Sequence, residues 1–165
     1  MIGNPIKTEF YVTGQGSVPT KGVLTGTITL AGTFACGAGK VVVAGTGTAF
    51  KGLGGLQKGD YLYSTTTNEV RKVTQIIDAT NIGINKAFSG AITTDAVKVA
   101  RRAFPRTIVL KDTGSVNASL VYGDIGSLSF SGGKNESINN SPTGIPPMTY
   151  DASAASAQLT IEIYY

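Results

Sequence analysis

The sequence predicts an all-β protein: a Gly/Thr-rich β-sandwich or small barrel of roughly ten short strands, with little or no helix. Glycine accounts for 22 of 165 residues, so it recurs about every seven positions and interrupts any helical stretch. The β-branched residues Thr, Val and Ile dominate between the glycines, and such residues favour a pleated sheet. Their runs are bounded by Gly, Asn, Asp and Pro, which is typical of short strands joined by turns.

Alternating or compact apolar runs give the individual strands in chain order. A short aromatic run opens the series, a long alternating run follows, and three valines form the next; the predicted strands of the first half are 10–12, 22–30, 40–44, 60–63, 69–77 and 81–85. Val97 and Val99 alternate with Lys98 in the next strand. The predicted strands of the second half are 96–100, 107–110, 118–122, 127–130 and 158–165.

Two segments have a short helical turn as an alternative to the strand or loop conformation. Residues 93–103 and 151–157 each have the composition for one helical turn, although the alternating valines favour a strand in the first. In the last strand, Leu159, Ile161 and Ile163 share one face, so it is either a central strand or an edge open to a neighbour.

The composition excludes several classes of protein. One cysteine and no histidine rule out an internal disulfide and the usual zinc and haem ligand sets. Histidine is also the commonest general acid and base. We therefore expect a protein that is not an enzyme and has no catalytic residues, no metal and no cofactor, with Cys36 as a buried filler.

Charge and hydropathy limit the kinds of partner that the protein is expected to bind. No apolar run reaches the length of a membrane span, and the N-terminus lacks a signal-peptide pattern, so we expect no membrane association. The net charge of +4 is too diffuse for a dedicated nucleic-acid binder, and contact with DNA is not expected. The glycine pairs do not match a phosphate-binding loop, and the few acids form no evident hydrolytic pair.

Residues 40–102 hold the most specific pattern. A valine strand leads into Gly45-Thr46-Gly47-Thr48-Ala49-Phe50, and Lys58-Gly59-Asp60 forms a turn before the next strand. Asp78 is placed to bond the backbone of a second turn, and Phe88 is expected to pack against Phe50. This order resembles a β module that recurs in head decoration, tail and fibre-associated proteins of tailed bacteriophages. Here 52–55 adds an extra Gly-Leu-Gly-Gly to the first loop.

The resemblance implies a virion structural protein, made in the host cytoplasm. The domain prediction is one β domain over 1–165, with an internal β module at 40–102 and a C-terminal β layer at 104–165. The expected role is an auxiliary capsid (head decoration) protein that binds and stabilises the shell. A tail tube, connector or fibre component is the alternative, and a carbohydrate-binding adhesion module is the second. The expected partners are the major capsid protein or other virion subunits, in many copies, with a homo-oligomer as one arrangement.

Two features exceed what a self-sufficient β domain needs, and they supply the predicted partner contacts. The first is a stretch of five cations without an intervening acid, which would steer an acidic partner. The second is a long polar loop, 131–148, stiffened by three prolines. The predicted contact residues are Lys98, Arg101, Arg102, Arg106, Lys111, Pro142, Pro146 and Pro147.

Overall fold

The structure is a computed structural model that describes residues 7–12, 21–100, 107–112, 118–122, 126–130, 135–139, 144–151 and 159–164. These ranges contain strands and no helix, which confirms the predicted all-β class. The strands are β1 (Lys7–Val12), β2 (Lys21–Val23), β3 (Ile28–Cys36), β4 (Val42–Thr46), β5 (Tyr61–Ser64), β6 (Glu69–Ile76), β7 (Asn81–Ile84), β8 (Ile92–Ala100), β9 (Thr107–Asp112), β10 (Ala118–Tyr122), β11 (Gly126–Phe130), β12 (Asn135–Asn139), β13 (Met148–Asp151) and β14 (Leu159–Tyr164).

The chain divides into two compact units, and the second is inserted into the first. One comprises Met1–Leu24 and Arg102–Tyr165, and the other comprises Thr25–Arg101. We call them the sandwich unit and the barrel unit. The module predicted at 40–102 falls almost entirely in the barrel unit, but that unit also contains β3, which precedes the module.

The barrel unit is a closed six-stranded barrel with strand order β3-β4-β7-β6-β5-β8. Every neighbouring pair is antiparallel, and closure removes free sheet edges. Alternation along the strands sends one set of side chains inward. The core consists of Phe34, Cys36, Val43, Phe50, Leu56, Leu62, Val73, Ile82, Ile84, Phe88, Ile92, Val97 and Val99.

The sandwich unit has two four-stranded antiparallel sheets, ordered β1-β14-β9-β12 and β11-β10-β13-β2. Ile161 and Ile163 on β14 lie opposite Leu110 and Ile108 on β9, so four aliphatic side chains face the core from adjacent strands. Tyr150 of the second sheet joins the same cluster. Two sheets with one shared apolar core form a sandwich.

The structure corrects the predicted strand at 22–30. It contains two strands, β2 and the start of β3, separated by a turn in which Gly26 adopts φ = 76°. The left-handed backbone at Gly26 ends the first strand, because an extended strand needs negative φ. The two halves of the predicted strand belong to different units.

The predicted polar loop 131–148 is also wrong in part, because β12 lies inside it. Asn135–Asn139 pairs with β9, and Ile138 lies opposite Ile108 and packs against the sandwich core. β13 was likewise not predicted.

β14 lies between β1 and β9, so the last strand is central and its edges are already paired. Residues 93–100 are in strand β8, and 152–157 lie outside the described residues.

Candidate interaction surface

The predicted basic stretch is divided between the two units. Lys98 is half-buried on β8 of the barrel, whereas Lys111 lies on β9 of the sandwich. The Lys111 ammonium forms an ion pair with Glu162 (3.1 Å), and the Tyr164 hydroxyl donates to the other oxygen of that carboxylate (2.8 Å). The sequence has no acid between Asp95 and Asp112, but Glu162 reaches Lys111 from a strand 51 positions away in the chain. Arg101, Arg102 and Arg106 lie outside the described residues.

The described end of the predicted loop 131–148, residues 144–148, is buried or half-buried. Pro147 is buried and Pro146 is half-buried, because Ile145 and Met148 on either side join the sandwich core. These two prolines therefore offer less surface to a partner than the sequence had suggested. Pro142 lies outside the described residues.

Asp95 is the centre of a buried hydrogen-bond network in the barrel. Its carboxylate accepts from the hydroxyls of Ser64 (2.6 Å), Thr65 (2.8 Å) and Thr66 (3.0 Å) and from the Thr66 N–H (3.1 Å). Burial raises the pKa of Asp95, but the hydrogen bonds, led by that from Ser64, outweigh it, so the pKa is lowered. These bonds fasten the turn after β5 to strand β8.

A second network surrounds Arg71, which is buried with only 4% of its surface exposed. Its guanidinium donates to Glu69 (2.6 Å) and to the carbonyls of Val70 and Ala87 (2.9 Å each), and lies 5.2 Å from the centre of the Phe88 ring. Burial raises the pKa of Glu69, but the hydrogen bonds from the Ser89 N–H and from Arg71 outweigh this effect, so the pKa is lowered. This arrangement fixes the segment carrying Phe88, whose ring lies 6.2 Å from that of Phe34; Phe50 is in the same core.

The remaining acids with described side chains also have internal roles. Asp60 accepts from the Gln57 N–H (3.0 Å), which confirms the predicted turn at 58–60. Asp78 accepts from the N–H groups of Thr80 and Asn81 (2.8 Å each), as its sequence position predicts. Asp151 pairs with Lys21 (3.1 Å). Within the described ranges, no three His, Cys, Asp or Glu side chains are grouped as metal ligands require.

Cys36 lies in the barrel core, as predicted for a buried filler. It is 3% exposed, and its sulfur lies 3.4 Å from the carbonyl oxygen of Lys40. Burial raises the pKa of the thiol, which favours its unreactive protonated form.

Ten positions on the outer face of the barrel, over β8, β3, β4, β7 and β6, carry no charged side chain. Residues opposite each other in an antiparallel pair share a face, so the register defines its rows. Ile77 extends the second row, since its N–H donates to the Asn81 carbonyl (3.0 Å). The uncharged barrel face comprises Ala96, Thr33 and Thr46, then Ala35, Ala44, Asn81 and Ile77, then Val42, Gly83 and Gln75. Val42 is 49% exposed and Ile77 is 45% exposed.

A tight turn at Gly52–Gly55 presents Leu53 to solvent. The Gly55 N–H donates to the Gly52 carbonyl (3.1 Å), and Gly54 has φ = 81°, as a type II β-turn requires at its third position. Gly55 packs on the backbone: a Cβ there would lie 2.5 Å from the Phe50 carbonyl oxygen. The turn holds Leu53 outward, and its relative exposure is 110%. We call this segment the Leu53 turn.

A pocket of about 170 Å³ opens beside the Leu53 turn. Its walls are mostly apolar, and two of its members, Phe50 and Val97, are otherwise buried core residues. The pocket arises where β3 bulges: its pairing with β8 is irregular between Thr29 and Thr33. The lining residues are Leu30, Ala31, Thr48, Ala49, Phe50, Leu53, Gly54, Gly55 and Val97.

The uncharged barrel face and the Leu53 turn were not among the predicted contact residues. The Gly-Leu-Gly-Gly insertion was visible, and a leucine between glycines is a signal for an exposed apolar tip. The barrel face had no such signal, because its members come from five strands and only the register places them together.

In the part of the chain that the structure describes, no helix has the length and apolar character needed to cross a membrane. Comparisons with protein-family models, with curated proteins and with solved structures find no match to this chain.

Proposed function

We propose that this protein is a non-enzymatic structural subunit that works by binding other protein surfaces through its barrel unit. The observation that carries the proposal is the uncharged barrel face. Cores of protein interfaces are depleted in charged residues. On this face Val42 and Ile77 are large apolar side chains that are about half exposed. The ten positions of this face contain no charged residue although the whole chain has 24.

The ionisable groups support a structural role as well. Every acid with a described side chain is engaged by backbone N–H groups, hydroxyls, amides or cations of the same unit. Such carboxylates stabilise turns and strands. A general acid or base, in contrast, needs access to a substrate proton.

For the assembly itself, we propose the virion of a tailed phage, with the protein as an auxiliary capsid component. The support is the resemblance of 40–102 to the phage β module. A shell contact of this kind works by burying apolar surface between subunits, at about 25 cal/mol per Å² before the entropic cost of association.

Quantitative mass spectrometry of purified virions tests the proposal. We expect the protein in particles, at a copy number comparable to that of the major capsid protein. A few copies per particle would assign it to the tail or connector instead. Its absence from particles would contradict the virion proposal altogether.

The barrel face has its own test, the paired substitution Val42→Asp and Ile77→Asp. We expect this variant to fold but to load poorly onto capsids that lack the protein. Lys72→Asp, at an exposed position on β6, is the matched control for adding negative charge to the barrel. Equal loss of loading in both variants would show that general charge, and not this face, controls attachment.

A further inference from the structure

We infer that the partner of the uncharged barrel face is an acidic protein surface, with carboxylates placed opposite a border of exposed lysines. The border consists of Lys40, Lys72 and Lys86, and we call it the lysine border. This partner class rests on the proposed function, because it specifies what the same face binds. It applies to a virion and to any other assembly alike.

The whole excess of positive charge of the chain lies in the barrel unit. Residues 25–101 contain eight Lys and Arg and four Asp and Glu, a net charge of +4, whereas the sandwich unit has six of each and is neutral. In the described ranges, the ion pairs are formed by Lys21, Arg71 and Lys111, so no exposed lysine of the barrel unit takes part in one. A domain with this charge attracts acidic partners.

The hydrogen-bond ladder between β4 and β7 brings Lys40 and Lys86 to the same end of the uncharged barrel face. The ladder continues one residue past Val42, the last position of the face on β4, because the Ile84 N–H donates to the Val41 carbonyl (2.9 Å). Lys40 directly precedes Val41, Lys86 follows Ile84 by two residues, and both lysines are exposed.

Lys72 extends the border across β7 to β6. Asn85, next to Lys86, donates its N–H to the Lys72 carbonyl (3.0 Å) and accepts from the Lys72 N–H through its side-chain oxygen (2.9 Å). Lys72 is exposed and directly precedes the fully buried Val73, so its side chain leaves the outer side of the barrel. Because β4 and β6 flank β7, their backbones lie about 10 Å apart, and one partner surface can contact all three lysines.

One further cation and one acid border the face elsewhere. Lys98 follows Ala96 by two residues on β8 and is half-buried. Asp78 follows Ile77, and its carboxylate accepts from backbone N–H groups of its own turn (2.8 Å). Among the described residues, the border thus carries four lysines and one acid. An uncharged centre with a charged rim is the arrangement of a protein interface, and the sign of the rim selects the partner.

A second copy of this chain and a nucleic acid both fit this surface less well. A second copy would bring its own lysine border toward the first, and like charges in contact repel. Nucleic acids are commonly held by arginine and by aromatic rings that stack on bases. In the described part of the barrel unit, Arg71 and every Phe and Tyr are buried. The exposed Val42 and Ile77 instead suit the centre of a protein contact.

An NMR titration of the ¹⁵N-labelled full chain with three probes tests the partner class. The probes are a peptide with a Leu-Val centre flanked by Glu, the same peptide with Gln in place of Glu, and a short DNA duplex. We expect the Glu peptide to shift the amide signals of β4, β6 and β7, and to bind more weakly as salt is added. The Gln peptide and the duplex are expected to bind at least about threefold more weakly at these strands.

Charge reversal locates the contact. We expect Lys40→Glu to weaken binding of the Glu peptide about threefold, and its combination with Lys72→Glu to weaken it about tenfold, because each reversal turns an attraction into a repulsion. Lys51→Glu makes the same charge change beyond the other end of β4 and is the matched control, with an expected change of less than about twofold. On capsids, Lys72→Asp is accordingly expected to lose some loading, but less than Val42→Asp/Ile77→Asp, since a rim charge contributes less than the centre.

The partner class is overturned if the Glu peptide does not bind at millimolar concentration, if the Gln peptide binds equally well, or if the duplex binds these strands more tightly. It is equally overturned if Lys51→Glu weakens binding as much as Lys40→Glu. That last result, together with poor capsid loading of Val42→Asp/Ile77→Asp, would leave the proposed function standing. Normal loading of Val42→Asp/Ile77→Asp, together with peptide binding that depends on Lys40, would instead contradict the proposed function and retain an acidic partner.

Discussion

Asp95 shows how one buried carboxylate can organise a turn that lies about 30 residues away in the chain. Four donors converge on it, one from Ser64 at the end of β5 and three from Thr65 and Thr66 in the turn that follows. Hydrogen bonds to a charged group contribute about 1.5–3 kcal/mol each in favourable cases, but they are not additive. We expect Asp95→Asn to lower the free energy of unfolding at neutral pH by about 3 kcal/mol, measured by urea denaturation. Asp78→Asn, in an exposed turn, is the control and should have a smaller effect.

The same network predicts the direction of acid sensitivity. Because the folded state lowers the pKa of Asp95 below its usual 3.8, the charged form stabilises the fold. That contribution is complete above pH 3.8 and is lost as pH falls through the lower folded value. The difference in unfolding free energy between wild type and Asp95→Asn should therefore shrink below pH 3.8. A constant difference across this range would show that the charge of Asp95 does not stabilise the barrel.

Gly32 and Gly39 show two different reasons why a position in the barrel unit needs glycine. Both have positive φ, at 86° and 69°. A Cβ at Gly39 would meet open space, whereas one at Gly32 would lie 2.5 Å from the Thr46 carbonyl oxygen. We expect Gly39→Ala to cost about 1 kcal/mol through backbone strain alone, and Gly32→Ala to cost about 3 kcal/mol because β4 must also move. Thermal unfolding of both variants measures the difference, and equal costs would contradict the close packing of β3 on β4.

At the scale of elements, the sequence predicted strands where alternation is strong and missed them where pairing alone makes the strand. β6, β7 and β14 lie close to their predicted bounds. Apolar residues alternate in β7 and β14, and β6 is rich in Val and Ile. The sequence predicts a loop at β12 because Asn135–Asn139 is polar apart from Ile138, whereas its strand conformation depends on pairing with β9. The uncharged barrel face could not be predicted from the sequence for the same reason, because the strand order and register that assemble it depend on residues far apart in the chain.

The segment between β12 and β13 carries an element-scale prediction. Ile145 is 2% exposed and belongs to the sandwich core, although the sequence placed it in a surface loop. We expect Ile145→Ala to destabilise the protein by about 2–5 kcal/mol, the usual cost of truncating a buried isoleucine. Ser137→Ala, on the exposed side of β12, should change stability by less than about 0.5 kcal/mol. Urea denaturation distinguishes the two, and a neutral Ile145→Ala would support the surface-loop interpretation.

At the scale of the whole molecule, the barrel unit is an insertion whose two chain connections leave from neighbouring strands. Ile28 at the start of β3 lies opposite Val99 near the end of β8, so the entry and exit points are adjacent. Insertions with adjacent termini are well tolerated, because the host connection needs to span only a short gap. The unit also has its own closed hydrogen-bond ladder and its own core.

These properties predict that residues 25–101 fold without the rest of the chain. A closed barrel exposes no unpaired edge, and its core lies wholly within this range. A chain of this size rarely gains more than about 3–5 kcal/mol from one core, so we expect cooperative but modest stability. Circular dichroism and urea denaturation of the fragment measure it, with Val73→Asp as a control that places a charge at a fully buried position and should unfold it. A fragment that shows no cooperative transition, or one indistinguishable from Val73→Asp, would mean that the sandwich unit is required to form the barrel. The two units would then be one folding domain despite their separate cores.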